Sequence, residues 1–222
     1  MRRRPAVIEI VGPAGVGKTR LAEQLEASGQ ALRSTMWAVP AGLLARSTVR
    51  HVPGALALFR DSGAWVWSEV KHLARLDALH AFLRTSRWNG TRLLVLDEGP
   101  VYALSWLQVI GHEHFRRRPP GWWWSRTLRR WAGSLDAVVI LDAPDAILKA
   151  RLRERAKPHL MKDRSLDEVS AFATAYRDAA EHVLVDLTAA GGPPVFRFES
   201  DDSPELLAER LLVALGSMSH AH

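Results

Sequence analysis

The octet Gly12-Pro13-Ala14-Gly15-Val16-Gly17-Lys18-Thr19 constrains this chain more than any other stretch. It matches the phosphate-binding loop pattern G-x-x-x-x-G-K-[ST]. The apolar run Ala6-Val7-Ile8-Glu9-Ile10-Val11 precedes it, and Leu21, Ala22 and Leu25 follow at helical spacing. The setting is therefore strand, loop and helix, which is where the pattern carries meaning. Glycines permit a turn tight enough for successive backbone N–H groups to converge on one anion. Those groups are the unpaired amides of a helix start, whose dipole favours negative charge. The pattern assigns residues 12–19 to a nucleoside triphosphate, with Lys18 at the β- and γ-phosphates and the Thr19 hydroxyl on Mg²⁺. A glycine-rich turn that happens to contain a lysine would need neither flank.

The chain has 222 residues, 47% of them apolar, enough for one good core, so a single domain over residues 1–222 is expected. Cysteine is absent, which excludes disulfides and thiolate metal sites. Met1-Arg2-Arg3-Arg4-Pro5 is basic, but the apolar run after it is too short for a signal peptide. No run reaches membrane-spanning length, so the expectation is a soluble, cytoplasmic protein with no membrane partner. A net charge of +6 suits either nucleotides or nucleic acid. Arg116-Arg117-Arg118, just before Pro119-Pro120-Gly121-Trp122-Trp123-Trp124, has the make-up of a single-strand stacking surface. It reads better as a solvated loop leading into a helix, because no other nucleic-acid module signature is present. No nucleic-acid partner is expected.

Along the chain, the first strand is Ala6 to Val11, and the helix after the loop runs to about Ser28, with Gly29 as its stop. A short strand is expected at Thr35–Val39, ended by Pro40, then short helical pieces at Gly42–Arg46 and Ala55–Arg60. Residues 64–86 read as a long helix on the spacing of Val66, Val70, Leu73, Leu76 and Leu83, and Asn89-Gly90 turns the chain. Leu93-Leu94-Val95-Leu96 and Ala137-Val138-Val139-Ile140-Leu141 are continuous apolar runs, as in strands buried on both faces. Between them lie helices from Val101 to about Phe115 and from Trp122 to Ala132. Pro144 suits the first turn of the next helix, and Ser165-Leu166-Asp167-Glu168 matches a capping box. The helix it opens keeps Val169, Phe172, Ala173, Tyr176, Ala180, Val183, Leu184 and Leu187 on one stripe. Val195–Phe198 is a fifth strand and Ser203-Pro204-Glu205 starts a last helix to about Leu215, with residues 216–222 a loose tail. Strands alternating with helices indicate an α/β fold with a five-stranded, mainly parallel sheet. Gly12, Asp97 and Asp142 each end a strand and are expected to face one cleft.

Two further signals bear on chemistry. Asp97, at the end of an apolar strand, has the position of a Mg²⁺ ligand or a proton acceptor, and its neighbour Glu98 is a second candidate. Arg151 and Arg155, four apart, share a helix face, with Lys157, Lys162 and Arg164 beyond them. Over a transferred phosphoryl group such cations would neutralise its spreading charge. His112-Glu113-His114 is a poor metal site, since alternating residues of a helix point apart. Among nine tryptophans, Trp65, Trp67, Trp106 and the run Trp122–Trp124 are candidates for stacking an aromatic acceptor.

This arrangement resembles the P-loop kinases of nucleosides and nucleotides, nearest to the thymidylate kinase and deoxynucleoside kinase branch. The resemblance spans essentially the whole chain and implies a P-loop NTPase fold with a short helical lid at about 151–166. It implies ATP and Mg²⁺ as cofactors and a small-molecule phosphate acceptor, most simply a nucleoside or nucleotide. In that family the lid begins R-x-x-x-R, as Arg151 and Arg155 do, and Asp163-Arg164 with Glu168 is similar to a pattern that follows. Phe172 and Tyr176 are similar to the family's aromatic–tyrosine pattern, and adenine is implied between Arg151 and the loop Glu199–Ser203. Thymidylate kinases end the third strand Asp-Arg and deoxynucleoside kinases Glu-Arg-Ser, whereas this chain has Asp97-Glu98-Gly99. The alternatives are a P-loop ATPase using Asp97-Glu98 as its Walker B pair, and a kinase of a sugar, antibiotic or other metabolite. A homodimer is left open.

Overall fold

The computed structural model describes residues 4–62, 67–86, 88, 90–111, 113, 121–155, 159–200 and 203–219. In chain order the elements are β1 (Ala6–Val11), α1 (Lys18–Ala27), β2 (Leu32–Thr35), α2 (Ala41–Ser62), α3 (Trp67–Thr85), β3 (Leu93–Glu98) and α4 (Pro100–Ile110). They continue with α5 (Gly121–Ala132), β4 (Ala137–Asp142), α6 (Asp145–Glu154), α7 (Leu166–Ala189), β5 (Val195–Glu199) and α8 (Pro204–Ser219). The strands pair in parallel in the order β2-β3-β1-β4-β5. Ile8 at the centre faces Val95 on one side and Ala137 on the other. Parallel pairing puts every carboxyl end at one edge, where the phosphate loop, Asp97 and Glu98 emerge.

Both faces of the sheet are covered, which is why its central strands have no polar face. Ile8, Ile10, Val95, Val139 and Leu141 pack against Leu21 and Leu25 of α1 and Leu207 and Leu211 of α8. Val7, Val11, Leu94, Leu96 and Val138 pack against Leu79, Leu104, Trp131 and Val183 from α3, α4, α5 and α7. The stripe on α7 is buried as expected, except that Phe172 is only half covered, and Ser165 and Glu168 form the capping box.

Several elements differ from the sequence expectation. The second strand is Leu32–Thr35 rather than Thr35–Val39, because it is the sheet edge and needs no apolar run. After Thr35 the chain turns, Met36 donates its N–H to the Glu98 carbonyl at 3.0 Å and is buried, while Trp37 and Ala38 stay exposed. Residues 41–62 form one helix that passes through Pro53, not two short pieces. Proline there cannot bond the carbonyl of Val49, but that turn faces solvent, with Val49 71% exposed, so the missing bond costs less than it would in the core. The last helix runs on to Ser219, past the tail expected from Gly216, since Gly216 carries no cap signal strong enough to stop it. Asn89, the start of the 64–86 helix, the run from His114 to Pro120 (with Arg116–Arg118) and residues 220–222 fall outside the described residues. No helix among the described residues is long and apolar enough to cross a membrane.

One polar residue sits on the central strand. Glu9 is fully buried, on the same face as Val7 and Val11. Its carboxylate accepts from the backbone N–H groups of Gly99 (3.1 Å), Val101 (2.9 Å) and Tyr102 (2.8 Å). These are the orphan amides of the first turn of α4, whose own preceding residue, Gly99, has no side chain to cap them. A Cβ at Gly99 would lie 2.8 Å from the Glu9 carboxyl carbon, so only glycine fits. Burial raises the Glu9 pKa to about 7 against the lowering effect of those three bonds. A group whose folded pKa lies above its unfolded value stabilises fully below pH 4.5 and loses that contribution as pH rises to about 7. Parent stability relative to Glu9→Gln should therefore fall by up to roughly 3 kcal/mol between pH 4.5 and 7.5, measured by denaturant unfolding. A pH-independent difference would show that Glu9 does not change its proton on folding.

Candidate functional site

The site starts with backbone. Gly12 has φ 152°, and a Cβ there would lie 2.1 Å from the Leu141 carbonyl oxygen. Gly15 has φ 88°, with the Leu148 carbonyl 2.9 Å from its Cβ position. The loop thus runs close against β4 and α6 where a side chain would not fit. It ends in α1, which has no side-chain cap and no acidic residue in its first turn, so its positive end is left for an anion.

Lys18 arches back over this loop, donating from Nζ to the carbonyls of Gly12 (2.7 Å) and Pro13 (3.0 Å). Loss of hydration lowers its pKa to about 8, with Asp97 and Glu98 opposing the shift and Arg155 adding to it. Thr19 Oγ1 donates to Asp97 Oδ2 at 3.0 Å, so the loop and the end of β3 meet. Asp97 is 4% exposed, and its Oδ1 is buried without a hydrogen-bond partner among the described residues. A hard, oxygen-seeking cation such as Mg²⁺ fits this pair: a hydroxyl and a carboxylate oxygen with an unmet acceptor. No His/Asp/Glu metal cluster occurs elsewhere among the described residues, and His112 and His114 lie outside them.

Glu98 points elsewhere along the same edge. Its carboxylate accepts from Thr35 Oγ1 at 3.2 Å and from the side chain of Trp37. Burial, then the charge of Asp97, raises its pKa above the ordinary carboxylate value. Beyond it lies a row of rings. Tyr102 stacks with Trp106 (centroids 6.2 Å), Trp106 with His72 (6.4 Å), and His72 meets Trp37 edge-on (5.5 Å). The guanidinium of Arg75 lies 4.4 Å over Trp37. Burial raises the Tyr102 pKa, with the charge of Glu98 adding to it, so the row begins next to that carboxylate.

Arg151 and Arg155 separate in role. Arg151 Nη1 donates to the Val16 carbonyl (3.2 Å) and Ser200 Oγ (3.0 Å), and Nη2 to the Ser200 carbonyl (3.0 Å). Ser200 Oγ in turn donates to the Val16 carbonyl at 2.5 Å, so this arginine ties the phosphate loop to the end of β5. Arg155 is not on the helix face with Arg151: α6 ends at Glu154, and Arg155 is its extended C-cap at ψ 127°. That frees its side chain, which makes no hydrogen bond or ion pair among the described residues but lowers the pKa values of Lys18 and His159 by its charge. Lys162 Nζ holds the Arg155 carbonyl at 2.6 Å, while Arg164 pairs with Glu168 at 3.1 Å and Glu168 also takes the Ser165 N–H. Lys157 and Pro158 lie outside the described residues.

Asp142 departs from the cleft expected of it. Arg177 of α7 binds both its oxygens at 2.9–3.1 Å, and the pair lines a cavity of about 360 Å³ with Gly12 and Pro13, which Asp97 does not line. Of the tryptophan candidates, Trp106 joins the ring row near Glu98, Trp67 is 42% exposed and pairs with Lys71, and Trp123 and Trp124 lie on α5 and pack against the core. Trp65 and the side chain of Trp122 lie outside the described residues. Sequence reasoning missed Arg33, whose Nη2 donates to Asp97 Oδ2 at 2.9 Å, along with Trp37, His72 and His159. None stands in a motif; strand pairing with β3 brings Arg33 to this edge, and Trp37 follows two residues after β2 ends.

No protein-family model and no curated protein matches the chain. Its fold is similar to that of a deoxyadenosine kinase from M. mycoides with bound dCTP, with TM-score 0.58 and 12% identity over 95% of this chain and 99% of that one. It is also similar to the YorR protein of Bacillus subtilis in complex with phosphorylated GDP, with TM-score 0.54 and 15% identity over 98% and 99%. A shikimate kinase from Bacteroides thetaiotaomicron gives TM-score 0.50 and 15% identity over 95% and 98%. Likeness at such low identity is likeness of fold.

The Arg151 contacts generate a test. Arg151→Ala leaves two carbonyls and the Ser200 hydroxyl short of a charged donor, so stability should drop by about 1–3 kcal/mol. Thermal melting should show the loss, and Arg151→Lys, with one donor head in place of a fork, should recover only part of it. An unchanged melting temperature in Arg151→Ala would mean the bridge holds nothing together.

Proposed function

We propose that this chain, which has the phosphate-loop kinase fold, is an ATP- and Mg²⁺-dependent phosphotransferase whose acceptor is a nucleoside or nucleotide. The observation that carries the reading is the placement of Glu98 between the Lys18 loop on one side and the Trp37–His72–Trp106–Tyr102 row on the other. A planar base finds ring faces there, and a hydroxyl attached to it comes within reach of a carboxylate at the phosphate end.

In this reading the loop amides of residues 12–19 and Lys18 would hold the triphosphate, and Thr19 and Asp97 would hold Mg²⁺. When bound, the cation would offset charge on the β- and γ-phosphates. The acceptor oxygen attacks the γ-phosphorus, its proton passes to Glu98, and the bond from that phosphorus to the bridging oxygen breaks to release ADP. Asp97, engaged by Thr19 and Arg33, is the less available base. Lys18 moves from the loop carbonyls to the phosphates, and Arg155, unpaired among the described residues, meets the charge that spreads over the transferred oxygens. Residues 151–166 act as the lid, with Arg151 fixed at its base.

The direct experiment incubates protein, ATP and Mg²⁺ with a pool of nucleosides, nucleotides, sugars and other metabolites and reads phosphorylated products by mass spectrometry. Free phosphate with no phosphorylated species would sink the kinase reading in favour of an ATPase. A phosphorylated sugar would move the acceptor to another class.

Site variants sharpen this. Asp97→Asn should lower turnover by about two to four orders of magnitude, and Glu98→Gln by a comparable factor. Glu98 must be ionised to accept a proton, so turnover should fall with decreasing pH through a value above 4.5, an acidic limb missing from Glu98→Gln. Retention of that limb in the variant would assign the base elsewhere.

Lys18 gives an independent binding test. Its pKa of about 8 means that the empty site loses this positive charge as pH rises past that value. Calorimetry should show ATP affinity falling by up to about tenfold per pH unit above 8, with proton uptake on binding, and no such trend in Lys18→Ala. Equal affinity for parent and Lys18→Ala at pH 7 would remove Lys18 from the triphosphate site.

A further inference from the structure

Arg33 stands on the edge strand β2, in a polar stretch that no motif marks. Its guanidinium is divided between two carboxylates, Asp97 Oδ2 at 2.9 Å and Glu23 Oε1 at 3.1 Å. Its backbone N–H donates to Glu26 Oε1 at 3.2 Å, so α1 fixes it at both ends. Asp97 Oδ2 therefore carries two donors, Thr19 Oγ1 and Arg33 Nη2, while Oδ1 is buried and carries none among the described residues. The Asp97 side chain is 6% exposed and that of Arg33 26%, so little water screens this pair.

We infer that Arg33 is a positioning residue that occupies Asp97 Oδ2, presents Oδ1 as the single oxygen open to a divalent cation, and suppresses binding of that cation in the absence of nucleotide. The inference rests on the assignment of Asp97 to the metal made above. A free carboxylate can rotate or offer both oxygens, whereas an octahedral Mg²⁺ takes one oxygen in a set direction. The Arg33 bond fixes that direction. It also sets a unit positive charge next to the metal position, and repulsion over about 6 Å weakens binding of a bare divalent ion by at least about tenfold, the figure for a water-like dielectric. The polyanionic tail of a nucleoside triphosphate supplies the negative charge that offsets this repulsion. The cation then enters with the nucleotide, and the guanidinium retains its hold on Oδ2.

The test uses Mn²⁺ as the probe, with the free ion counted by electron paramagnetic resonance, first without nucleotide and then with a non-hydrolysable ATP analogue. Without nucleotide, Arg33→Gln should bind Mn²⁺ at least about tenfold more tightly than the parent, because the repelling charge is gone. Arg33→Lys keeps the charge and should stay near the parent. With the analogue present the gain in Arg33→Gln should shrink. Turnover should nevertheless fall in Arg33→Gln and partly return in Arg33→Lys. A role confined to holding the fold together predicts no gain in metal affinity. Unchanged or weaker Mn²⁺ binding by folded Arg33→Gln overturns the inference. Asp97→Asn separates the two levels of the argument. Parent-like Mn²⁺ binding in that variant overturns the Asp97 assignment and this inference with it. Loss of binding in Asp97→Asn without a gain in Arg33→Gln overturns this inference alone. Should Arg33→Gln fail to fold, Glu23→Gln carries the test, since Glu23 is 57% exposed and lies outside the site. That variant leaves the guanidinium to Asp97 and should weaken nucleotide-free Mn²⁺ binding two- to threefold by the same repulsion; unchanged or tighter binding overturns the inference.

Discussion

The fold depends on a carboxylate with no cation beside it. Glu9 enters the interior from the central strand and receives three backbone N–H groups from the first turn of α4. An amide cluster at a helix start is a partial positive charge fixed in space, so it can accompany a buried carboxylate where a mobile lysine would need hydration. The arrangement locks the junction of β3 and α4 to β1. Because the phosphate loop continues from β1 and Asp97 and Glu98 end β3, this lock sets the distance across the site. Gly99 serves it by leaving room.

The charges at the carboxyl edge fall into two groups. Lys18 and Arg155 are held by backbone carbonyls or are unpaired among the described residues, so they can turn to a ligand without breaking an ion pair. Arg151, Arg33 and Arg177 are already committed, to Val16 and Ser200, to Asp97 and Glu23, and to Asp142 and Asp145. An arginine whose fork is already matched by fixed acceptors holds backbone or carboxylate in place; one without partners is free to meet new charge. Arg151 and Arg155 fall on opposite sides of this division because the helix ends between them.

The aromatic row beside Glu98 is built from residues far apart in the chain. Trp37 follows the edge strand, His72 and Arg75 lie on α3, and Tyr102 and Trp106 lie one turn apart on α4. What joins them is the crossing of α3 and α4 beside the end of β2. The row sets Tyr102, Trp106, His72 and Trp37 side by side, with the Glu98 carboxylate near its Tyr102 end.

The phosphate loop, the parallel sheet, the two buried strands and the capping box at Ser165 could all be read from sequence, since each is fixed by residues close together in the chain. Local sterics decide a glycine turn, and a strand covered on both faces must be apolar whatever covers it. The place of Asp97 at the carboxyl end of β3 was legible for the same reason, as the first polar residue of that run. The edge strand was misplaced because an edge needs no apolar run, and the helix through Pro53 because the turn that lacks a bond there faces solvent. Arg33 on Asp97, Glu9 on α4, Asp142 on Arg177 and the aromatic row were settled only by tertiary structure. Each joins residues tens of positions apart, and the energy of a polar or ring contact depends on distance and solvent exclusion, which spacing along the chain does not contain.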